Sequence, residues 1–202
     1  MGTDDTGFPE TADIETSTDG YAARFSGATG AWMLSVQERA VLRFLAGTSA
    51  KAVLDVGGGH GQLAGPLCRE GYAVTVLGSG DVCRSRVAAL VKAGQCRFQV
   101  GNVLHMPFPD RAFETVLCFR LITHCTKWPE LISELCRVAD RQVIVDYPAS
   151  RSLNKVAPAL FGAKKQIEGN TRAWRLFGHA EIRSEFAKQG FRLEQQVGQF
   201  FF

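Results

Sequence analysis

No uninterrupted apolar run in this 202-residue chain approaches the roughly 20 residues needed to cross a bilayer. That argues against a helical membrane span. The first twenty residues contain no Lys or Arg, so they read as neither a secretory signal nor a basic transit peptide. Six cysteines are present (68, 83, 96, 118, 125 and 136), with no Cys-x-x-Cys pair and no zinc spacing. Most of them sit in apolar stretches, so they are expected to be buried, reduced thiols, which favours the cytoplasm. No internal repeat is visible.

What is present is ordinary for a globular domain of this length, with 46% hydrophobic and 21% charged residues. The net charge of +3 conceals an asymmetry, because residues 1–20 carry six acids and leave +9 on the remainder. This acidic segment, rich in Thr, Asp and Gly, is expected to be disordered. The remaining 21–202 is expected to form one domain. Within it, 147–180 holds six basic residues against the single acid Glu168 and reads as an insertion or lid.

Apolar spacing predicts an amphipathic helix over 32–47, capped by Ser35 with Glu38 three residues on and stopped by Gly47. Strands then alternate with helices. Strands are expected at 52–56, 73–77, 96–100, 113–119 and 142–148. Helices are expected after Gly61 (interrupted by Pro66), over 81–94, after Thr126 and over 179–190. This alternation implies right-handed βαβ units and a mainly parallel, Rossmann-like, doubly wound α/β sheet with helices on both faces. The segment from Phe191 opens another strand. The chain ends on three phenylalanines, which suggests that the last strand lies beyond Phe202.

The stretch "VLDVGGGHGQLAG" carries the chemistry. A strand delivers Asp55 into a glycine-rich turn that opens a helix, placing free N–H groups at the carboxyl end of the sheet. Gly59-x-Gly61-x-x-Ala64 formally satisfies a dinucleotide fingerprint. However, it starts several residues past the strand, and Asp55 would repel a pyrophosphate. A cationic ligand reverses that electrostatic argument.

Here the chain resembles the class I S-adenosylmethionine-dependent methyltransferases, especially the small-molecule type that includes quinone-biosynthesis enzymes. Asp55-Val56-Gly57-Gly58-Gly59-His60-Gly61 is similar to their first motif. The block "GNVLHMPFPDRAFETVLCFRLITHCTKWPELISELCRVADRQVIVDYP" resembles their second. The resemblance spans roughly 21–148 and implies a seven-stranded type of sheet and S-adenosyl-L-methionine as cofactor. It implies that Asp55 holds the methionine amino group and that Gly57, Gly58, Gly59 and Gly61 line that end. Asn102 would meet the adenine amine, Val103 would offer its N–H to the ring, and Phe119 would flank the methionine part.

Two positions depart from the pattern. Asn102 stands in place of an acid, yet its amide oxygen still accepts from an amine. The ribose-binding acid should fall at Gly78, in "VTVLGSGD". Losing one charge-assisted hydrogen bond costs about 1.5–3 kcal/mol, which weakens binding roughly 10- to 150-fold. Ser79 supplies one neutral bond there, and Asp81 is placed to reach back from the next helix.

Methyl transfer to a small-molecule acceptor by in-line displacement is the implied reaction, with a base needed only where the acceptor must lose a proton. His124 and Tyr147 are the base candidates, with His105 a weaker third. Tyr21, Arg24 and Phe25 are expected to fold over the cofactor. The aromatic and basic stretch 151–177 suits a hydrophobic acceptor with an anionic group, and leaves peripheral membrane contact open. A weakened cofactor-binding or scaffold protein of the same fold is the alternative. A nicotinamide-dependent oxidoreductase or a nucleic-acid-modifying enzyme fits the residues less well.

Overall fold

The computed structural model describes residues 7–47, 51–150 and 174–199. Five strands form one all-parallel sheet in the order β3-β2-β1-β4-β5. They are β1 (Ala52–Val56), β2 (Ala73–Gly78), β3 (Cys96–Val100), β4 (Phe113–Cys118) and β5 (Ala139–Val145). Their β-branched and aliphatic content, with near-continuous burial in β1 and β4, is what a sheet covered on both faces requires.

Period-two alternation splits the core between the two faces. Leu54, Val56, Leu77, Val116 and Cys118 face one way, packing on α6 (Trp128–Val138) and α7 (His179–Lys188) through Leu131, Ile132, Leu135 and Ile182. Val53, Val74, Val76, Leu117 and Ile144 face the other way. They pack on α3 (Gly27–Leu45) and α4 (Ala64–Arg69) through Val41, Leu45 and Leu67. A 3-10 stretch, Asp81–Val87, leads into α5 (Ala88–Lys92) and replaces the single helix expected over 81–94. No helix among the described residues is long and apolar enough to cross a membrane.

Several expectations need correction. The N-terminal segment is not disordered from residue 12 on. Ala12–Thr16 forms α1 and Asp19–Ala23 forms α2, with Glu10, Asp13, Thr16 and Ser17 buried. The long helix begins at Gly27, so Ser35 lies inside α3 and donates its hydroxyl to the Trp32 carbonyl rather than capping. Thr126 does not cap α6, because its N–H and hydroxyl are both taken by the Glu10 carboxylate. Residues 191–199 form no strand. Most of the basic 147–180 stretch and the terminal phenylalanines lie outside the described residues.

The chain order reverses between β1 and β4, leaving a crevice beyond their carboxyl ends. That is where open parallel sheets bind ligands.

Candidate active site

Asp55 is the penultimate residue of β1, in register with Val76 and Leu117, and is 2% exposed. Past it the chain turns through one 3-10 turn, Gly58–His60, bracketed by Gly57 (φ 70°) and Gly61 (φ 73°). Both brackets are left-handed, which glycine adopts without strain. The Asp55 carboxylate fills the space where any side chain at Gly58 would stand. Burial pushes this carboxyl up to about 7, opposed by the charge of Arg120.

Arg120, just past β4, is itself left-handed (φ 57°). Asp146 holds it there, accepting the Arg120 N–H at 2.6 Å, while Gln37 accepts from its Nη2 at 3.1 Å. Gln37 also donates to Asp146 (3.1 Å) and accepts from Gln62 (3.0 Å), so one hydrogen-bonded network ties α3, the glycine loop and β5 together. The Arg120 guanidinium lies 4.5 Å over the Phe25 ring. The His60 ring meets Tyr21 edge to face at 5.6 Å and Phe25 at a tilt at 5.5 Å. Burial, then Arg120 and Arg86, depress its imidazole to about 4. Arg120 Nη1 and His60 Nδ1 are buried without a hydrogen-bond partner among the described residues.

The N-terminal segment lies across the same crevice. Asp13 Oδ2 accepts the Ser79 N–H at 2.7 Å, while Asp13 Oδ1 is buried without a partner. The Ser79 hydroxyl donates to the Glu10 carbonyl at 3.3 Å. Glu10 Oε1 accepts the N–H groups of Thr126 (2.8 Å) and Lys127 (3.0 Å), just ahead of α6. The Ser17 hydroxyl packs onto Gly59, where a side chain at that glycine would collide with it. What remains open among Asp55, Gly57, Gly58, His60, Phe119 and Arg120 is a cavity of about 20 Å³, enough for one water.

The structure therefore brings Asp55, Gly57, Gly58 and Phe119 to one cavity, with Gly59, Gly61 and Ser79 close by. Gly78 ends β2 and accepts the Gly101 N–H through its carbonyl, and it has no room for a side chain. A Cβ there would stand 2.6 Å from Cys83 Cβ and 3.0 Å from the Phe98 ring. Asp81 does not reach back, being exposed and paired with Arg84 at 3.0 Å. Asn102 spends one acceptor on Leu104 N–H at 2.9 Å, in a turn closed by His105, and Val103 is fully buried. His105 is exposed.

Neither His124 nor Tyr147 lines the cavity. His124 closes the 3-10 turn Ile122–His124. The Tyr147 hydroxyl is bonded to His179 Nδ1 at 2.9 Å, and burial raises it above the ordinary phenol range. Arg120, His60, Glu10, Asp13 and Gln37 escaped sequence reasoning: Glu10, Asp13 and Gln37 stand in no motif, and His60 and Arg120 stand within the two matched blocks at positions to which no role was assigned.

The donor set suits the cationic cofactor expected from the resemblance, but the volume does not. Ligand pockets run to about 300–1,000 Å³, and residues 10–17 pack against the glycine loop and the end of β2.

A methyltransferase domain family matches residues 54–145. The demethylmenaquinone methyltransferase of Deinococcus radiodurans is 31% identical over 122 residues, covering 57% of this chain and 48% of that protein. The ubiquinone biosynthesis O-methyltransferase of Paramagnetospirillum magneticum is 27% identical over 157 residues, covering 74% and 62%. The chain thus spans about half the length of the curated relatives it matches. Among solved structures, magnesium protoporphyrin IX methyltransferase of Synechocystis PCC 6803, with bound SAH, has the same fold. Its TM-score is 0.72 at 18% identity, over 91% of this chain and 90% of that one. Glycine loop and strand order agree with these comparisons, and residues 54–145 match a methyltransferase domain family.

Proposed function

We propose that this chain uses S-adenosyl-L-methionine to methylate a small, hydrophobic acceptor bearing an anionic group. The observation that carries the reading is the buried Asp55 under a left-handed glycine turn at the β1/β4 crevice. A carboxylate so poorly solvated gains most from a cation placed beside it. A pyrophosphate there would be repelled, which disfavours the nicotinamide alternative.

When bound, the cofactor supplies an activated sulfonium methyl group. The chain's own residues hold and orient it. Asp55 takes the ammonium group, directly or through water. Gly57, Gly58, Gly59 and Gly61 line that end, the Gly57 and Gly61 N–H groups being already held by the Leu77 and Gly58 carbonyls. Gly78 and Ser79 flank the ribose, Ser79 through its N–H and hydroxyl. Asn102 keeps a second acceptor lone pair for the adenine amine, Val103 offers its N–H to the ring, and Phe119 flanks the methionine part. Tyr21 and Phe25, packed on His60, exclude water from one side.

For an acceptor that must lose a proton, His124 and Tyr147 are the base candidates. The Tyr147–His179 hydrogen bond gives the phenol a partner for its proton. Six unpaired cysteines, five of them buried, suit a reducing compartment such as the cytoplasm. Calorimetric titration with S-adenosylhomocysteine and S-adenosylmethionine tests the reading. Binding with one-to-one stoichiometry is expected. Absence of both heat and thermal shift at millimolar ligand refutes it.

A further inference from the structure

The crevice that should receive the cofactor is closed from within the chain. Three features show how. The glycine loop is covered by α1 and the residue after it, with the Asp13 Cβ 3.4 Å from where a Gly57 side chain would begin and Ser17 against Gly59. The polar groups at the end of β2 are already answered, the Ser79 N–H by the Asp13 carboxylate and the Ser79 hydroxyl by the Glu10 carbonyl. The segment is fastened at both ends, by Glu10 on Thr126 and Lys127 and by Asp19 on Arg86 at 2.7 Å.

The fastening is incomplete where it matters. Asp13 Oδ1, Arg120 Nη1 and His60 Nδ1 are all buried without partners. Buried polar atoms left unanswered count against the closed arrangement. The segment also places a second buried acid, Asp13, in the crevice that holds Asp55. A cationic ligand is therefore a chemically better occupant than the acidic segment that stands there.

Resting on the methyltransferase reading above, we propose that residues 10–17 are an internal plug that occupies the cofactor site. They must withdraw before S-adenosylmethionine binds. Apparent affinity is then the intrinsic affinity multiplied by the fraction of molecules with the plug out, and it rises when the plug's fastenings are cut.

The full chain carrying Glu10→Ala and Asp13→Ala tests this by calorimetric titration with S-adenosylhomocysteine, alongside hydrogen exchange on the unsubstituted protein. The expected result is binding at least tenfold tighter in the variant. In the unsubstituted protein, amide exchange over 10–17 should speed up when ligand is added. Equal or weaker binding in the variant, or slower exchange over 10–17 with ligand, overturns the plug alone, because the segment would then be part of the binding surface. No binding in either protein, with both folded, overturns the methyltransferase reading and the plug with it.

Ser17→Cys offers a second route, because the Ser17 side chain and the Cys83 Cβ stand side by side over Gly59. Once oxidised to a disulfide, confirmed by the loss of two free thiols, this variant should not bind until reductant is added. Undiminished binding by the oxidised form overturns the proposal.

Discussion

Replacing Asp55 by asparagine is expected to stabilise the folded chain above pH 7, although it removes a residue of the proposed binding site. The carboxyl ordinarily titrates at 3.8 and in the fold at about 7. Between those values the folded state keeps a proton that the unfolded state has lost. Stability therefore falls as pH rises through the window, and the loss is complete above 7. At about 1.4 kcal/mol per pH unit, the interval amounts to roughly 4 kcal/mol, an upper figure for a fully buried group.

His60 has the opposite sign. Its imidazole is held neutral down to about 4 against an ordinary 6.5, so its contribution to stability rises with pH across that window. In the unsubstituted chain the two trends oppose each other between pH 4 and 6.5. Asp55→Asn removes the larger opposing limb, so stability should climb more steeply toward pH 6.5 than in the parent, with the raised Asp146 carboxyl still opposing it. Urea unfolding at pH 4.5, 6, 7 and 8 measures both curves. An Asp55→Asn chain less stable than the parent at pH 8 would refute the reasoning, since it would mean that attraction to Arg120 outweighs burial. Arg120→Met serves as the control. Without that cation, both the Asp55 and His60 midpoints should rise, which carboxylate and imidazole NMR titrations read directly.

Gly78→Ala should destabilise the chain by about 1–3 kcal/mol, because its Cβ has no room against Cys83 and Phe98. Gly78→Asp should cost more and fail to tighten ligand binding. Unchanged urea midpoints for both would contradict the packing at the end of β2. Leu117→Ala, fully buried at the centre of the sheet, should cost about 2–5 kcal/mol in chemical denaturation. Arg137→Met should lower stability by about 2–3 kcal/mol. Arg137 joins Glu134 (2.7 Å), Asp110 (2.9 Å) and the carbonyls of Met106 (3.1 Å) and Phe108 (2.8 Å), pinning the 106–110 loop to α6. Rescue by Arg137→Lys should be partial, because one ammonium cannot serve all these acceptors.

Local chemistry made much of this molecule readable in advance. The glycine turn after β1 follows from residues that must adopt left-handed φ, and the doubly wound sheet follows from strand and helix periods alternating along the chain. Gly47 and Gly94 end their helices with positive φ as their positions imply. At two caps, local signals misled because a distant partner or an earlier start took over. Ser35 and Glu38 have the spacing of a capping box, but α3 had already begun at Gly27. Thr126 is a good capping residue, but Glu10 claims its donors across 116 positions.

The tertiary structure alone decided who meets Asp55 and what fills the crevice. Asp13 reaches Ser79 across 66 positions, and Gln37 reaches Asp146 across 109. Contacts of that separation depend on chain reversals and leave no period or spacing behind. The missing acid at Gly78 was visible as a gap in a motif. Its physical reason, a site with no room for a side chain and a neighbour already bonded to the carboxylate of Asp13, exists only once β2, Cys83, Phe98 and the N-terminal segment are packed together.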